Sequence, residues 1–247
     1  MKEIVKEIRR ELRRKGDERT RESGKRFFKE RIRLYGVGSA TVHRIAREHF
    51  RDIRDRSKKE VLDLCEELWK SGYIEESFIA CDWSYRMRGD YEPRDLKVFE
   101  RWIRRYVSNW ASCDTLCNHT IGAFVDRYPE CISVLQRWAR SKNRWMRRAS
   151  AVSLIIPARQ GKFLNEIRAI ADILLLDRDD LVQKGYGWML KAASQAHQQE
   201  IFEFVMARKA VMPRTALRYA IEKMPKGLRM KAMKQQGKGA GIGRGGL

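Results

Sequence analysis

Apolar residues recur every three to four positions along nearly the whole chain, and no segment alternates convincingly between apolar and polar. That pattern predicts helices and leaves little room for a sheet. Residues 180–195 illustrate it. Val182, Tyr186, Met189 and Ala193 fall on one face and define a core stripe, while Lys184, Trp188, Lys191 and Gln195 fall on another. Polar or glycine-bearing breaks at Lys70-Ser71-Gly72, Arg88-Gly89-Asp90, Ser141-Lys142-Asn143 and Asp177-Arg178-Asp179 divide the chain into segments of about four to five turns. Pro93, Pro129 and Pro213 lie near the starts of such segments, where a missing N–H leaves no bond unmade.

The segments pair. First helices are predicted to begin near Lys58, Arg94, Pro129, Lys162 and Gln198, and their partners near Tyr73, Asn109, Asn143, Asp179 and Pro213. The period is roughly 35 residues. One such pair cannot bury its apolar stripe alone, so successive pairs must stack into an all-α helical-repeat solenoid with one concave wall. Two or three capping helices are expected before Lys58. Nothing divides the array: residues 1–233 read as a single domain and 234–247 as a flexible, basic, glycine-rich tail.

Charge changes the picture from scaffold to binder. Among 247 residues, 53 Lys+Arg against 32 Asp+Glu give a formal net charge of +21, which points first to a polyanion. Hydrophobic residues make up 43% of the chain, enough for a packed core and too many for a disordered basic tail protein. The charged N-terminus has no apolar signal core and the longest apolar runs fall short of a membrane span, while five cysteines suggest reduced thiols. The expectation is a cytoplasmic protein without membrane contact.

Equivalent positions in a repeat array line one surface, so the second helices are where chemistry is sought. Trp110 and Asp114 are four apart, and one repeat later Arg144 and Arg148 take the equivalent places. Lys184 and Trp188 follow, then Arg214 and Arg218. A lone carboxylate in a strip of tryptophan and cation repels the phosphates its neighbours attract. Two readings stand for Asp114: a partner for Arg148 or a helix cap, or a group that steadies positive charge developing on an anomeric carbon and orients a water against it. Two also stand for Trp188: packing between helices, or stacking on a sugar or base between phosphate-holding lysines. Trp145, with Ala149, Val152 and Ile156, reads as core, as do Trp102 and Trp138. Cys113, Cys117 and His119 lack a second ligand pair at zinc spacing and suit buried thiols, and no phosphate-cradling glycine loop or nucleophile elbow occurs.

Four motifs, WASCD (110–114), NRWMRRAS (143–150), VQKGYGWMLK (182–191) and PRTALRYAI (213–221), occur in order within residues 25–226. Together they resemble the AlkD family of DNA alkylation repair glycosylases, which are built from HEAT-like repeats. The resemblance implies excision of cationic N3- and N7-alkylated purines, such as 3-methyladenine and 7-methylguanine, from duplex DNA by a monomer that needs neither metal nor cofactor. It implies Asp114 as the catalytic carboxylate and Trp110 and Trp188 as walls against the lesion's deoxyribose. It also implies that Arg148 contacts the backbone beside the lesion, and that the base is not taken into a pocket as in most glycosylases. Arg144, Arg147, Lys184, Lys191, Arg214 and Arg218 complete the expected DNA-binding set. Phe27 in KRFFKE stands where the family usually has tyrosine, which removes a polar contact and keeps the aromatic bulk. The alternatives are a non-catalytic binder of damaged, bent or branched DNA on the same scaffold, and a helical-repeat platform for acidic proteins.

Overall fold

The computed structural model describes residues 2–234; of the expected tail, all but Lys234 lies outside the described residues. Three helices, α1 (Lys2–Lys15), α2 (Glu18–Lys25) and α3 (Ser39–Phe50), open the chain before the first pair. That pair is α4 (Lys58–Trp69) and α5 (Ile74–Arg86). In the second, α6 (Leu96–Arg105) is followed by α7 (Trp110–Thr115), which runs through a π-helical turn (Leu116–Ile121) into α8 (Gly122–Arg127). Next come α9 (Ile132–Ala139) with α10 (Arg144–Val152), and the short α11 (Ile155–Arg159). The pairs α12 (Leu164–Leu174) with α13 (Asp180–Ala193) and α14 (Gln198–Arg208) with α15 (Arg214–Ile221) follow, and α16 (Lys226–Met233) closes the described chain. Extended backbone pairing among the described residues is limited to one isolated bridge, Arg33 to Tyr73.

Second helices begin where polar side chains can cap them. Asn109 accepts from the Ser112 N–H, Asn143 from the Trp145 N–H and Asp179 from the Leu181 N–H, at 2.8–2.9 Å. Each satisfies one of the N–H groups that a helix start leaves open. Pro213 precedes α15 and makes no side-chain cap bond.

The repeat period is visible in the contacts. Ser77 meets Ser112 at 2.7 Å and Ser84 meets Thr120 at 2.9 Å, both buried, across sequence separations of 35 and 36. Lys58 reaches Asp95 at 2.8 Å and the Tyr128 hydroxyl donates to the Tyr91 carbonyl at 2.6 Å, each across 37 residues. Residues about one repeat apart are thus bonded between the first and second pairs and between the second and third. A single apolar cluster runs without interruption from Ile4 to Ala232. The predicted stripe Val182, Tyr186, Met189 and Ala193 is fully buried in it, as are Trp102 and Trp138, and Trp145 lies at its edge.

Two features escaped the periodicity. The π turn interrupts the helix directly after Asp114 and Thr115, a placement typical of functional segments. And α13 carries Gly187 because α15 crosses it closely: a Cβ there would stand 2.7 Å from the Tyr219 Cβ and 2.9 Å from the Ala216 carbonyl oxygen. Gly187→Ala should therefore lower stability by about 1–3 kcal/mol through overpacking. That exceeds the roughly 1 kcal/mol a helical alanine gains over glycine. A fall in the urea midpoint is expected; a rise would show that α15 yields freely.

Candidate functional site

The stacking of α7, α10 and α13 brings the predicted row together, and the segment after α2 comes to face it. A cleft of about 410 Å³ is lined by Trp110 and Asp114 from α7, Arg148 from α10, Lys184 and Trp188 from α13, and Phe27 opposite them. An adjoining hollow of about 530 Å³ shares Lys184 with it and adds Arg214 and Arg218 from α15. The spacing of four within each helix and of one repeat between helices places these groups side by side.

Trp110 is half-buried. Its ring stacks on Phe28, with centroids 5.2 Å apart and planes 20° from parallel, and its indole N–H donates to the Phe27 carbonyl at 3.4 Å. These contacts fix the ring plane, so the indole presents a rigid wall. Trp188, also half-buried, packs against the core and lines the cleft. Phe27 is 73% exposed, an aromatic ring standing in solvent at the mouth.

Asp114 is held from both oxygens. Arg148 Nε donates to Oδ1 and its Nη2 to Oδ2, each at 2.7 Å, a bidentate fork between groups that are 5% and 9% exposed. The remaining Arg148 nitrogen, Nη1, donates to the Leu181 carbonyl at the start of α13. Gly185 makes space for this side chain, since a Cβ there would stand 3.3 Å from the Arg148 Cγ. Burial raises the Asp114 carboxyl above the usual aspartate value, and the hydrogen bonds and charge of Arg148 pull it part of the way back. Burial alone would lower the Arg148 guanidinium, but Asp114 holds it above its ordinary value. The two stay an ion pair whose carboxylate still lines the cleft.

The other cations divide into two sets. Arg144 pairs with Asp179 at 2.8 Å and Glu30 at 3.5 Å, and Lys184 shares Asp180 with Lys29 at 3.3 Å each. Lys191 reaches Glu222 at 3.0 Å. Arg214 and Arg218 are exposed, and no carboxylate among the described residues lies within 4.0 Å of either.

Two of the arginines expected to contact DNA are engaged within the protein. Arg148 does not stand open as a phosphate contact; all three of its nitrogens are engaged inside the protein because Asp114 requires a buried counter-charge. Arg147 sits at the loop end, bonded to Asp177 at 2.6 Å and to the carbonyls of Ser141 and Lys142 at 3.0 Å. There it ties down the turn that launches α10. Residues that periodicity did not single out include Phe28, Glu30, Asp180 and Tyr219. The doubled aromatic in KRFFKE was the one signal for Phe28; the rest depend on tertiary placement. Cys113 and Cys117 are buried thiols, the first bonded to the Trp145 carbonyl at 3.8 Å. No cluster of three or more metal-binding side chains occurs among the described residues, and no described helix is long and apolar enough to cross a membrane.

Comparison with known proteins then gives the family. No curated protein matches the chain in sequence. Among solved structures it resembles a predicted DNA alkylation repair enzyme from Enterococcus faecalis, with a TM-score of 0.77 over 86% of this chain and 98% of that one. Identity is 14%, so this likeness speaks for the fold. The family model described as DNA alkylation repair enzyme matches residues 8–224, which include every second helix and the whole cleft. The chain belongs to the DNA alkylation repair enzyme family.

Proposed function

We propose that this protein is a DNA glycosylase that hydrolyses the N-glycosidic bond of cationic N3- and N7-alkylated purines in duplex DNA. The observation that carries the reading is Asp114, a buried, charge-paired carboxylate opening into a cleft between two tryptophans. An alkylated purine already bears positive charge and leaves without a general acid. What remains is to stabilise an oxocarbenium-like sugar and to place a water. A carboxylate oxygen keeps a lone pair when it accepts one N–H, so Asp114 retains acceptor capacity toward the cleft while Arg148 fixes its orientation. Trp110 and Trp188 supply flat apolar faces for deoxyribose. Arg214 and Arg218, without a carboxylate within 4.0 Å among the described residues, are the cations best suited to phosphate, which positions the duplex without reading sequence.

A second reading has its own observation. The bidentate Asp114–Arg148 pair is also what a purely structural role requires, and with it the protein is a non-catalytic binder of damaged or bent DNA. The two readings part at substitution.

Release of free 7-methylguanine and 3-methyladenine from methylated duplex DNA is expected from the wild type and not from Asp114→Asn, with DNA binding retained by both. A folded, DNA-binding wild type that releases neither base would favour the binder. Because burial raises the Asp114 carboxyl, single-turnover excision should fall, as pH is lowered, at an inflection above 3.8, the ordinary aspartate value. A rate unchanged through that range would remove an ionised Asp114 from the mechanism. Arg148→Ala leaves a buried carboxylate without its partner and should cost about 3–5 kcal/mol in urea unfolding. A loss well under 1 kcal/mol would mean the pair is open to solvent.

A further inference from the structure

The helix that follows the last pair, α16, has one side that packs and another that meets solvent. Ala232 is buried, and Leu228 and Met233 lie half-buried against the core. At its far end the Lys209 ammonium donates to the carbonyls of Lys231 and Lys234, at 3.4 and 2.9 Å, groups that a helix end leaves open. The side turned to α15 is different. Lys226, Arg229, Met230 and Met233 follow helical spacing there, and across from them Arg218, Ile221 and Glu222 follow it on α15. Between the two rows lies a hollow of about 460 Å³.

Its charge is one-sided. The one carboxylate in the wall, Glu222, is already paired with Lys191 at 3.0 Å. Arg218, Lys226 and Arg229 are exposed, and no carboxylate among the described residues lies within 4.0 Å of any of them. Three cations around one hollow repel one another, and a bound anion relieves that repulsion. Met230 is 56% exposed, so the floor opens to solvent and does not enclose a small molecule. Cations spaced by aliphatic side chains match a partner whose anions are spaced by less polar units, as the phosphates of a nucleic acid are spaced by sugars.

An acidic peptide has similar chemistry, and continuity decides between them. This hollow shares Arg218 and Glu222 with the one beside α13, which in turn shares Lys184 and Tyr219 with the Asp114 cleft. A single strand can therefore run from the cleft across α15 to α16. The family match ends at residue 224 and α16 begins at Lys226, so this surface lies beyond the matched region.

We infer that α16 is a further DNA-holding element. The duplex whose lesion occupies the cleft continues over α15, where Lys226 and Arg229 hold its phosphates and Met230 meets its sugars. This contact rests on the reading of the cleft as a DNA site, and not on base excision there.

The salt dependence of binding to a long, unmodified duplex tests it. Each phosphate contact contributes about one unit to the slope of log K against log salt. Lys226→Gln/Arg229→Gln should lower that slope by about 2 and weaken binding on the order of tenfold at low salt. Arg137→Gln/Arg140→Gln removes the same charge from exposed positions on α9 that line none of the three hollows, and should leave the slope unchanged. Met230→Glu should weaken binding through repulsion of phosphate, and Met230→Gln should not. A slope untouched by the α16 pair, an equal fall in the α9 pair, or wild-type affinity in Met230→Glu would overturn the inference. Polyglutamate binding that the α16 pair abolishes while DNA binding stays intact would assign the surface to an acidic protein instead. Release of alkylated bases is measured separately. Duplex binding with the full slope but no release contradicts the glycosylase reading alone; release with a slope indifferent to α16 contradicts this inference alone.

Discussion

One guanidinium joins three successive repeats. Arg148 rises from α10, clamps Asp114 on α7 with two nitrogens and caps the Leu181 carbonyl of α13 with the third. Its stem lies over Gly185. The orientation of the carboxylate depends on this contact, which also ties α7, α10 and α13 together. Its energetics are asymmetric. A buried ion pair adds little net stability compared with apolar packing, yet removing one partner strands the other in low dielectric. Such a pair specifies geometry more than it stabilises the fold.

The repeat architecture is what makes the contact possible. Each repeat places a second helix beside the previous one, so side chains about 35 positions apart become neighbours. The same step that sets Arg148 against Asp114 also sets Ser112 against Ser77 and Asp95 against Lys58. Charge is distributed by the same rule. Arg144, Lys184 and Lys191 face carboxylates of adjoining helices or of their own, whereas Arg214 and Arg218 near the end of the array face none among the described residues. A formal net charge of +21 thus says that a polyanion is expected.

Much of this was legible in the chain itself. Helix starts at Asn109, Asn143 and Asp179 follow from cap chemistry, a local property, and the core stripe of α13 follows from period alone. The juxtaposition of Trp110, Asp114, Lys184 and Trp188 needed only the repeat length. What the pattern could not yield was partnership. Whether Arg148 faces solvent or Asp114 depends on the side-chain direction and depth of two helices 34 residues apart. Phe28 stacks on Trp110 from a non-helical segment that has no periodicity to read. Gly185 and Gly187 carry a cost in a helix, and only the packing of Arg148 and α15 against them explains it.

Under the proposed function, Asp114 stabilises positive charge on a sugar in the cleft. An enzyme binds a mimic of its transition state more tightly than a neutral analogue, so the direct measurement compares two duplexes. One carries a cationic azasugar at a single abasic position, the other a neutral tetrahydrofuran. The wild type should prefer the cationic duplex by about tenfold or more, equivalent to roughly 1.4 kcal/mol. Asp114→Asn should bind both alike. Equal affinity of the wild type for the two duplexes, or a preference that survives in Asp114→Asn, would contradict the account.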